Sequence, residues 1–269
     1  MPAGWFPRDI DGVSGEISRY FTGYGVSAQS RAAVSPHAGW FYSGRVAAKG
    51  VASLARDCDT VAVLGGHLSE NSPFLFAMED AVRTPYGSMP IDTELRAALI
   101  KKLDGKDDRF RDNTVEALLP MVHHFFPKAM LLWIRFPACM SSFEAGKLIS
   151  QTAAKLGRKV NVLGSTDLTH YGANYGFSPR GRGIAALRWV RDVNDAAFIK
   201  AVEAGDKDEV LLRAQKDSSS CSVGAVLGAM GFAQEEGLKN ARLLEYATSA
   251  DSDLTEIPDS FVGYAAFAF

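Results

Sequence analysis

A short apolar run, then small residues, then a histidine: this device occurs three times in the chain. Residues 31–35 lead through Pro36 to His37. Residues 60–64, Thr-Val-Ala-Val-Leu, lead through Gly65-Gly66 to His67. Residues 159–163 lead through Gly164-Ser165-Thr166 to Asp167 and His170. Apolar runs rich in Val and bounded by Gly, Ser or Pro read as strands. After the first, Val46, Ala47, Gly50, Val51 and Leu54 recur at helical spacing. Strands that alternate with helices need both sheet faces covered, which restricts the chain to layered α/β/α packing. The expectation is one three-layer α/β/α domain over residues 1–269, built on a mostly parallel or mixed sheet.

The rest of the chain fits that frame. Residues 9–21 read as a short amphipathic helix behind an aromatic arm, Ala3-Gly4-Trp5-Phe6-Pro7. A helix is expected over 45–56 and a short strand over 74–78, with turn chemistry at 83–88. Asp92 reads as the N-cap of a helix over 93–103. The charged stretch 101–112 reads as a solvated loop. Residues 115–128 read as helix broken by Pro120, 129–136 as a strand, and 143–155 as a helix. Residues 172–182 read as a long loop, followed by helices over 184–203 and 206–215. Asp217-Ser218-Ser219-Ser220-Cys221-Ser222 opens an Ala/Gly/Val helix that runs to about residue 232. A strand over 242–246, a polar loop over 249–259 and an apolar end over 261–269 close the chain.

Composition narrows the function classes. The 269 residues are 47% hydrophobic and carry a net charge of -2, which gives no electrostatic footprint for nucleic acid. No apolar run reaches the length of a membrane helix, and the N-terminus lacks the basic and apolar regions of a signal peptide. Three widely spaced cysteines form no disulfide framework and suit a reducing cytoplasm.

If the three strands are parallel neighbours, their carboxyl ends open on one crevice, which is where open α/β sheets carry their chemistry. His37, His67, Asp167 and His170 would meet there. Cys221, at a helix start, can face the same crevice, where free backbone N–H groups favour its thiolate. Two imidazoles and a thiolate form a mononuclear metal set suited to iron, copper or zinc rather than magnesium or calcium. Asp167 and His170 either join the ligands or sit behind them, Asp167 orienting an imidazole and His170 moving protons. Each residue also has a plain reading: a structural His, a small buried Cys, an N-cap Asp. His123-His124 reads as surface or packing, Glu116 as a site carboxylate or a helix surface, Arg180 and Arg182 as a solvated loop, and Trp40 and Tyr42 as cleft wall or core.

Pro36-His37-Ala38-Gly39-Trp40-Phe41-Tyr42-Ser43-Gly44 resembles the P-H-A-G-[YW]-x-Y-S-G signature of the Memo family, whose bacterial and archaeal members include AmmeMemoRadiSam system protein B. Further stretches resemble that family in order along the chain. They are the Gly4-Trp5-Phe6-Pro7 arm, Leu64-Gly65-Gly66-His67, Thr84-Pro85-Tyr86-Gly87 with Ile91-Asp92, and Glu116 with Leu119-Pro120. Ser165-Thr166-Asp167-Leu168-Thr169-His170-Tyr171-Gly172, Ser220-Cys221 and Val262-Gly263-Tyr264-Ala265 complete the series. The resemblance implies a fold similar to class III extradiol dioxygenases. It puts metal ligands on His37, His67 and Cys221 and an adjacent Asp and His on Asp167 and His170. It implies a non-haem iron or copper redox protein acting on a small substrate, with radical-SAM and AMMECR1-like proteins as partners by family association. A non-catalytic binding or scaffold protein, with a peptide or small anion in the cleft, and a zinc-type hydrolase are the alternatives. The sequence departs from the family at Asn113, where a His is usual, at Leu118, where a Gln is usual, and in the short Gly65-Gly66 turn.

Overall fold

The computed structural model describes residues 4–22, 25, 29–109, 112–238, 240–252 and 258–269. Ala3 of the arm, residues 110 and 111 of the charged stretch and residues 253–257 of the late polar loop lie outside the described residues. The strands are β1 (Ala32–Ser35), β2 (Thr60–Leu68), β3 (Leu75–Phe76), β4 (Ala81–Thr84), β5 (Gly87–Pro90), β6 (Lys106–Asp107), β7 (Met130–Pro137), β8 (Val160–Ser165), β9 (His170–Gly172), β10 (Arg242–Thr248) and β11 (Ser260–Ala268). The helices are α1 (Ile10–Tyr20), α2 (Trp40–Ser53), α3 (Thr93–Leu103), α4 (Asn113–Glu116), α5 (Leu119–Phe125), α6 (Ser141–Lys155), α7 (Ile184–Trp189), α8 (Ala196–Glu203), α9 (Lys207–Asp217) and α10 (Val223–Glu235).

One mixed sheet runs in the order β10-β11-β1-β8-β2-β7-β3-β6, with β9 paired to β11. Its centre, β1-β8-β2-β7, is parallel. β11 runs antiparallel to β1, and β3 antiparallel to β7. Strand alternation divides the core in two. Ala33, Val61, Val63 and Leu163 meet α1, α2 and α5 on one face. Ala32, Val34, Ala62, Leu64 and Val162 meet α6, α8 and α10 on the other. The expected α/β/α layering is therefore what the chain forms. No helix among the described residues is long and apolar enough to cross a membrane.

α10 is buried continuously from Val223 to Ala233, which is why it reads as Ala, Gly and Val with no polar face. Glycine lets it lie on α6: a Cβ on Gly231 would stand 1.9 Å from the Phe143 carbonyl oxygen, and one on Gly146 2.0 Å from that of Gly228.

Several boundaries differ from expectation. α2 begins at Trp40, not residue 45, because Trp40 N–H docks on the Trp5 carbonyl (2.8 Å) and the helix starts at once after Gly39. Pro120 opens α5 rather than breaking a helix, since its missing N–H costs nothing in a first turn. Gly172, the first residue of the expected loop, ends a strand instead: β11 extends beyond β1, and its free edge takes up β9. α7 and α8 are joined by a π-helical segment, Val190–Asp195. The charged stretch is not wholly solvated, because the side chains of Asp108 and Asp112 turn inward to Arg135.

Candidate metal centre

The parallel order β1-β8-β2 puts three strand ends side by side. His37 follows β1, Asp167 follows β8, and His67 lies in the last residues of β2. Cys221 arrives from the other direction, two residues before α10. Its N–H donates to the Asp167 carbonyl (3.2 Å), and the Asp167 N–H points back at Sγ (3.3 Å). Gly66 makes this approach possible: a Cβ there would lie 2.3 Å from Ser222 Cβ. Two more contacts fix the strand end, Gly66 N–H donating to Thr114 Oγ1 (3.1 Å) and His67 N–H to Ser222 Oγ (3.3 Å). His67 itself has φ 58°, the left-handed region rarely used by a residue with a side chain. Such backbone concentrates at functional sites.

The result is a compact donor cluster. One ligand atom each from His37, His67 and Cys221 lies within 4.8 Å of the others, so the three can hold a metal ion. His37 Nε2 stands 3.4 Å from Cys221 Sγ, and the two imidazole rings meet edge to face at 5.1 Å. The other nitrogen of each ring is already engaged. His37 Nδ1 meets Ser165 Oγ at 2.9 Å, and His67 Nδ1 meets Asp112 Oδ2 at 3.1 Å. Such outer contacts orient metal-binding imidazoles and fix their tautomer.

Asp167 is buried beside the cluster. Its Oδ1 accepts the His37 backbone N–H (2.8 Å), so it does not cap a helix. Oδ2 lies 3.8 Å from His37 Nε2 and 3.9 Å from His170 Nε2, between the two rings but beyond hydrogen-bond length. His170 is partly exposed, and its ring packs against Tyr175. Burial opposes ionisation of Cys221, yet His37 and His67 outweigh it and hold the thiol well below its usual range. Burial also opposes charge on His67, but Asp112 and Cys221 push it up to about 10. His37 is likewise raised: burial opposes its charge, and Asp167 and Cys221 prevail. Burial raises Asp167, with His37 pulling the other way.

A cavity of about 660 Å³ opens over the cluster. His37, His67, Asp167 and His170 line its floor, and Trp5, Tyr42, Tyr175 and Tyr264 its walls. Every residue picked from the strand-end pattern thus reaches one place. Tyr42 is cleft wall, whereas Trp40 is core, its indole N–H donating to the Ala117 carbonyl (2.9 Å). Of the two substituted polar positions, Asn113 lines the cavity and its amide approaches the His37 carbonyl. Leu118 lies in the core under α2 and α5, so the Gln-to-Leu change leaves the cavity wall untouched. His123 and His124 are held by Thr84 Oγ1 (2.6 Å) and Tyr86 OH (2.7 Å), away from the centre.

Sequence reasoning missed Ser165, Asp112 and Arg135. Ser165 reads in sequence as a small turn residue. Asp112 and Arg135 lie in a charged loop and a strand whose meeting no local pattern announces; the one available signal was an Arg within the apolar run 129–136.

Comparison with known proteins places the chain in a family. The model of the Memo-like protein family matches residues 3–268. A MEMO1 family protein of Methanopyrus kandleri is 31% identical over 252 residues, covering 88% of this chain and 82% of that protein. One from Methanococcus maripaludis strain C5 is 29% identical over 247 residues, covering 87% and 81%. Among solved structures, the uncharacterized protein JW3007 from Escherichia coli K12 superposes with a TM-score of 0.50 at 11% identity, covering 88% of this chain and 99% of that one, a likeness of fold alone. With a match that runs almost from end to end, the chain belongs to the Memo-like protein family.

Proposed function

We propose that this protein binds one iron or copper ion through His37, His67 and Cys221 and uses it in a redox reaction on a small organic substrate held in the cavity. The observation that carries this reading is the convergence of the three donors within 4.8 Å, with His37 and His67 lining the cavity. The donor chemistry fits the ion: the thiolate is the favoured form of Cys221, and each imidazole has its second nitrogen anchored. Thiolate with imidazole suits iron, copper or zinc. When bound, iron or copper supplies one-electron chemistry and Lewis acidity at the cavity floor.

The chain's own residues do the rest. Asp167, clamped through the His37 N–H, presents its free oxygen to both His37 and His170. Its raised pKa suits a group that holds a proton and passes it on. His170, at the wall and partly exposed, moves that proton between Asp167 and substrate or solvent. Trp5, Tyr42 and Tyr175 line the cavity that receives the substrate.

Anaerobic reconstitution with ferrous iron or copper, followed by metal analysis, tests the reading. About one ion per chain is expected, lost in His37→Ala and in Cys221→Ala. A wild-type protein that retains neither metal would end the proposal. Preferential retention of zinc would instead favour a hydrolytic role, in which the ion supplies a hydroxide.

A further inference from the structure

Arg135 is a buried guanidinium in the middle of an apolar strand, and the reaction outlined above does not use it. It sits on β7 opposite Gly65 of β2, one pair short of the His67 turn. It is 4% exposed. It grips Asp108 in a two-point contact, Nε to Oδ2 at 2.8 Å and Nη2 to Oδ1 at 3.0 Å. Its third nitrogen, Nη1, lies 3.2 Å from Asp112 Oδ2 and 3.4 Å from the Gly66 carbonyl oxygen. A buried ion network of this kind adds little stability over apolar packing of the same volume. Its geometry shows what it does instead.

Asp108 anchors the guanidinium, and both contacts of Nη1 lead to His67. Asp112 Oδ2 is shared between Arg135 and His67 Nδ1, 3.1 Å away. Asp112 Oδ1 is taken by Thr114, through its N–H at 2.9 Å and through its hydroxyl. The carboxylate therefore cannot rotate. The Gly66 carbonyl, also held by Arg135, immediately precedes the left-handed residue. So one guanidinium contacts both the backbone that sets the direction of His67 and the carboxylate that sets its ring.

We propose that Arg135 is a positioning residue. Through Asp112 it keeps the proton of His67 on Nδ1 and turns Nε2 towards Cys221 and His37, and so sets the affinity of the centre for its metal. This rests on the metal-binding reading given above. The ring orientation, however, can be measured without metal.

The test uses the full chain and four variants: Arg135→Met, Arg135→Lys, Asp112→Asn and the Arg135→Met/Asp112→Asn double. In the metal-free protein, spectra of ¹⁵N-labelled histidine should show a slowly exchanging Nδ1–H of His67, assigned by its loss in His67→Gln. The signal should vanish in Arg135→Met and persist, shifted, in Arg135→Lys. Titration with ferrous iron should show binding weaker by roughly 10–100-fold in Arg135→Met. The loss in Arg135→Lys should be smaller because the charge is kept, but still present because an ammonium cannot make the forked contact. The double variant should bind no more weakly than Asp112→Asn alone, since both changes cut the same chain of contacts.

Persistence of the Nδ1–H signal in Arg135→Met overturns the proposal. So does affinity within twofold of wild type, or losses that multiply in the double variant. If Arg135→Met does not fold, Arg135→Lys decides: a threefold or greater loss supports the role and no change overturns it. If the wild type binds no metal, the metal reading falls by itself and the histidine spectrum alone decides the role of Arg135.

Discussion

Gly66→Ala isolates the contact that brings the two halves of the site together. Gly66 has no left-handed φ, so alanine there adds no backbone strain, only a methyl group. That Cβ would stand 2.3 Å from Ser222 Cβ, 2.4 Å from Ser222 Oγ and 2.8 Å from Ser222 Cα. Ordinary contact begins at 3.4 Å, and rotating the Ser222 side chain moves Oγ but not Cβ, so the Ser222 backbone must retreat by about 1.1 Å. Cys221 is the next residue and moves with it. Metal–ligand distances tolerate shifts of about 0.2 Å, so the expected displacement is several times what the centre can absorb. The fold suffers less, because overpacking of this kind costs about 1–3 kcal/mol. Iron or copper affinity should therefore fall by roughly tenfold or more, while urea unfolding stays cooperative with a modestly lower midpoint. Ser222→Gly in the same chain removes two of the three contacts and should restore part of the affinity. Wild-type affinity in Gly66→Ala with an unchanged urea midpoint would refute the reasoning, since the close approach would then not be what positions Cys221.

Four further expectations follow from the same structure. Because His67 is pushed up to about 10 and His37 is raised as well, metal binding displaces protons, and apparent affinity should rise at least about tenfold per pH unit between roughly pH 6 and 9; a flat titration over that range contradicts it. Asp195, buried on the π-helical segment with Thr169 and Tyr246, is pushed up to about 6 by burial from an ordinary 3.8. A raised carboxyl favours the fold when protonated, so the wild type should lose about 3 kcal/mol relative to Asp195→Asn as pH rises from below 3.8 through 6; parallel urea-stability profiles for the two proteins would exclude this. Gly231→Ala should cost at least about 2 kcal/mol in urea unfolding, since its methyl would meet the Phe143 backbone and not a movable side chain. Gly15→Ala, in an exposed helical position with nothing within 4 Å, should instead stabilise by about 0.5–1 kcal/mol.

The parts of this architecture that sequence reveals are those set by local periodicity. β1, β2 and β8 announce themselves as apolar runs with small residues at their ends, and α10 as an unbroken Ala/Gly/Val helix. The histidines and Asp167 were legible because the same strand-to-turn device delivers them, and Cys221 because it opens a helix. What periodicity does not carry is the pairing of distant segments. β9 exists only because β11 overreaches β1 and leaves an edge. α2 starts early because a backbone N–H finds the carbonyl of an arm 35 residues upstream. Asp112 looked like part of a solvated charge run until Arg135, on a strand, faced it. Leu118 stands where the family usually has Gln, two residues after Glu116 in sequence, yet in the fold it turns into the core.

The central claim is that His37, His67 and Cys221 hold one ion together, and X-ray absorption at the edge of the reconstituted metal tests it most directly. The account expects two imidazole nitrogens and one sulfur, the sulfur at ~2.3 Å and the nitrogens at ~2.0–2.1 Å if the ion keeps zinc-like distances, with the sulfur signal gone in Cys221→Ser. A spectrum with no sulfur scatterer in the wild type, or one that Cys221→Ser leaves unchanged, would contradict it.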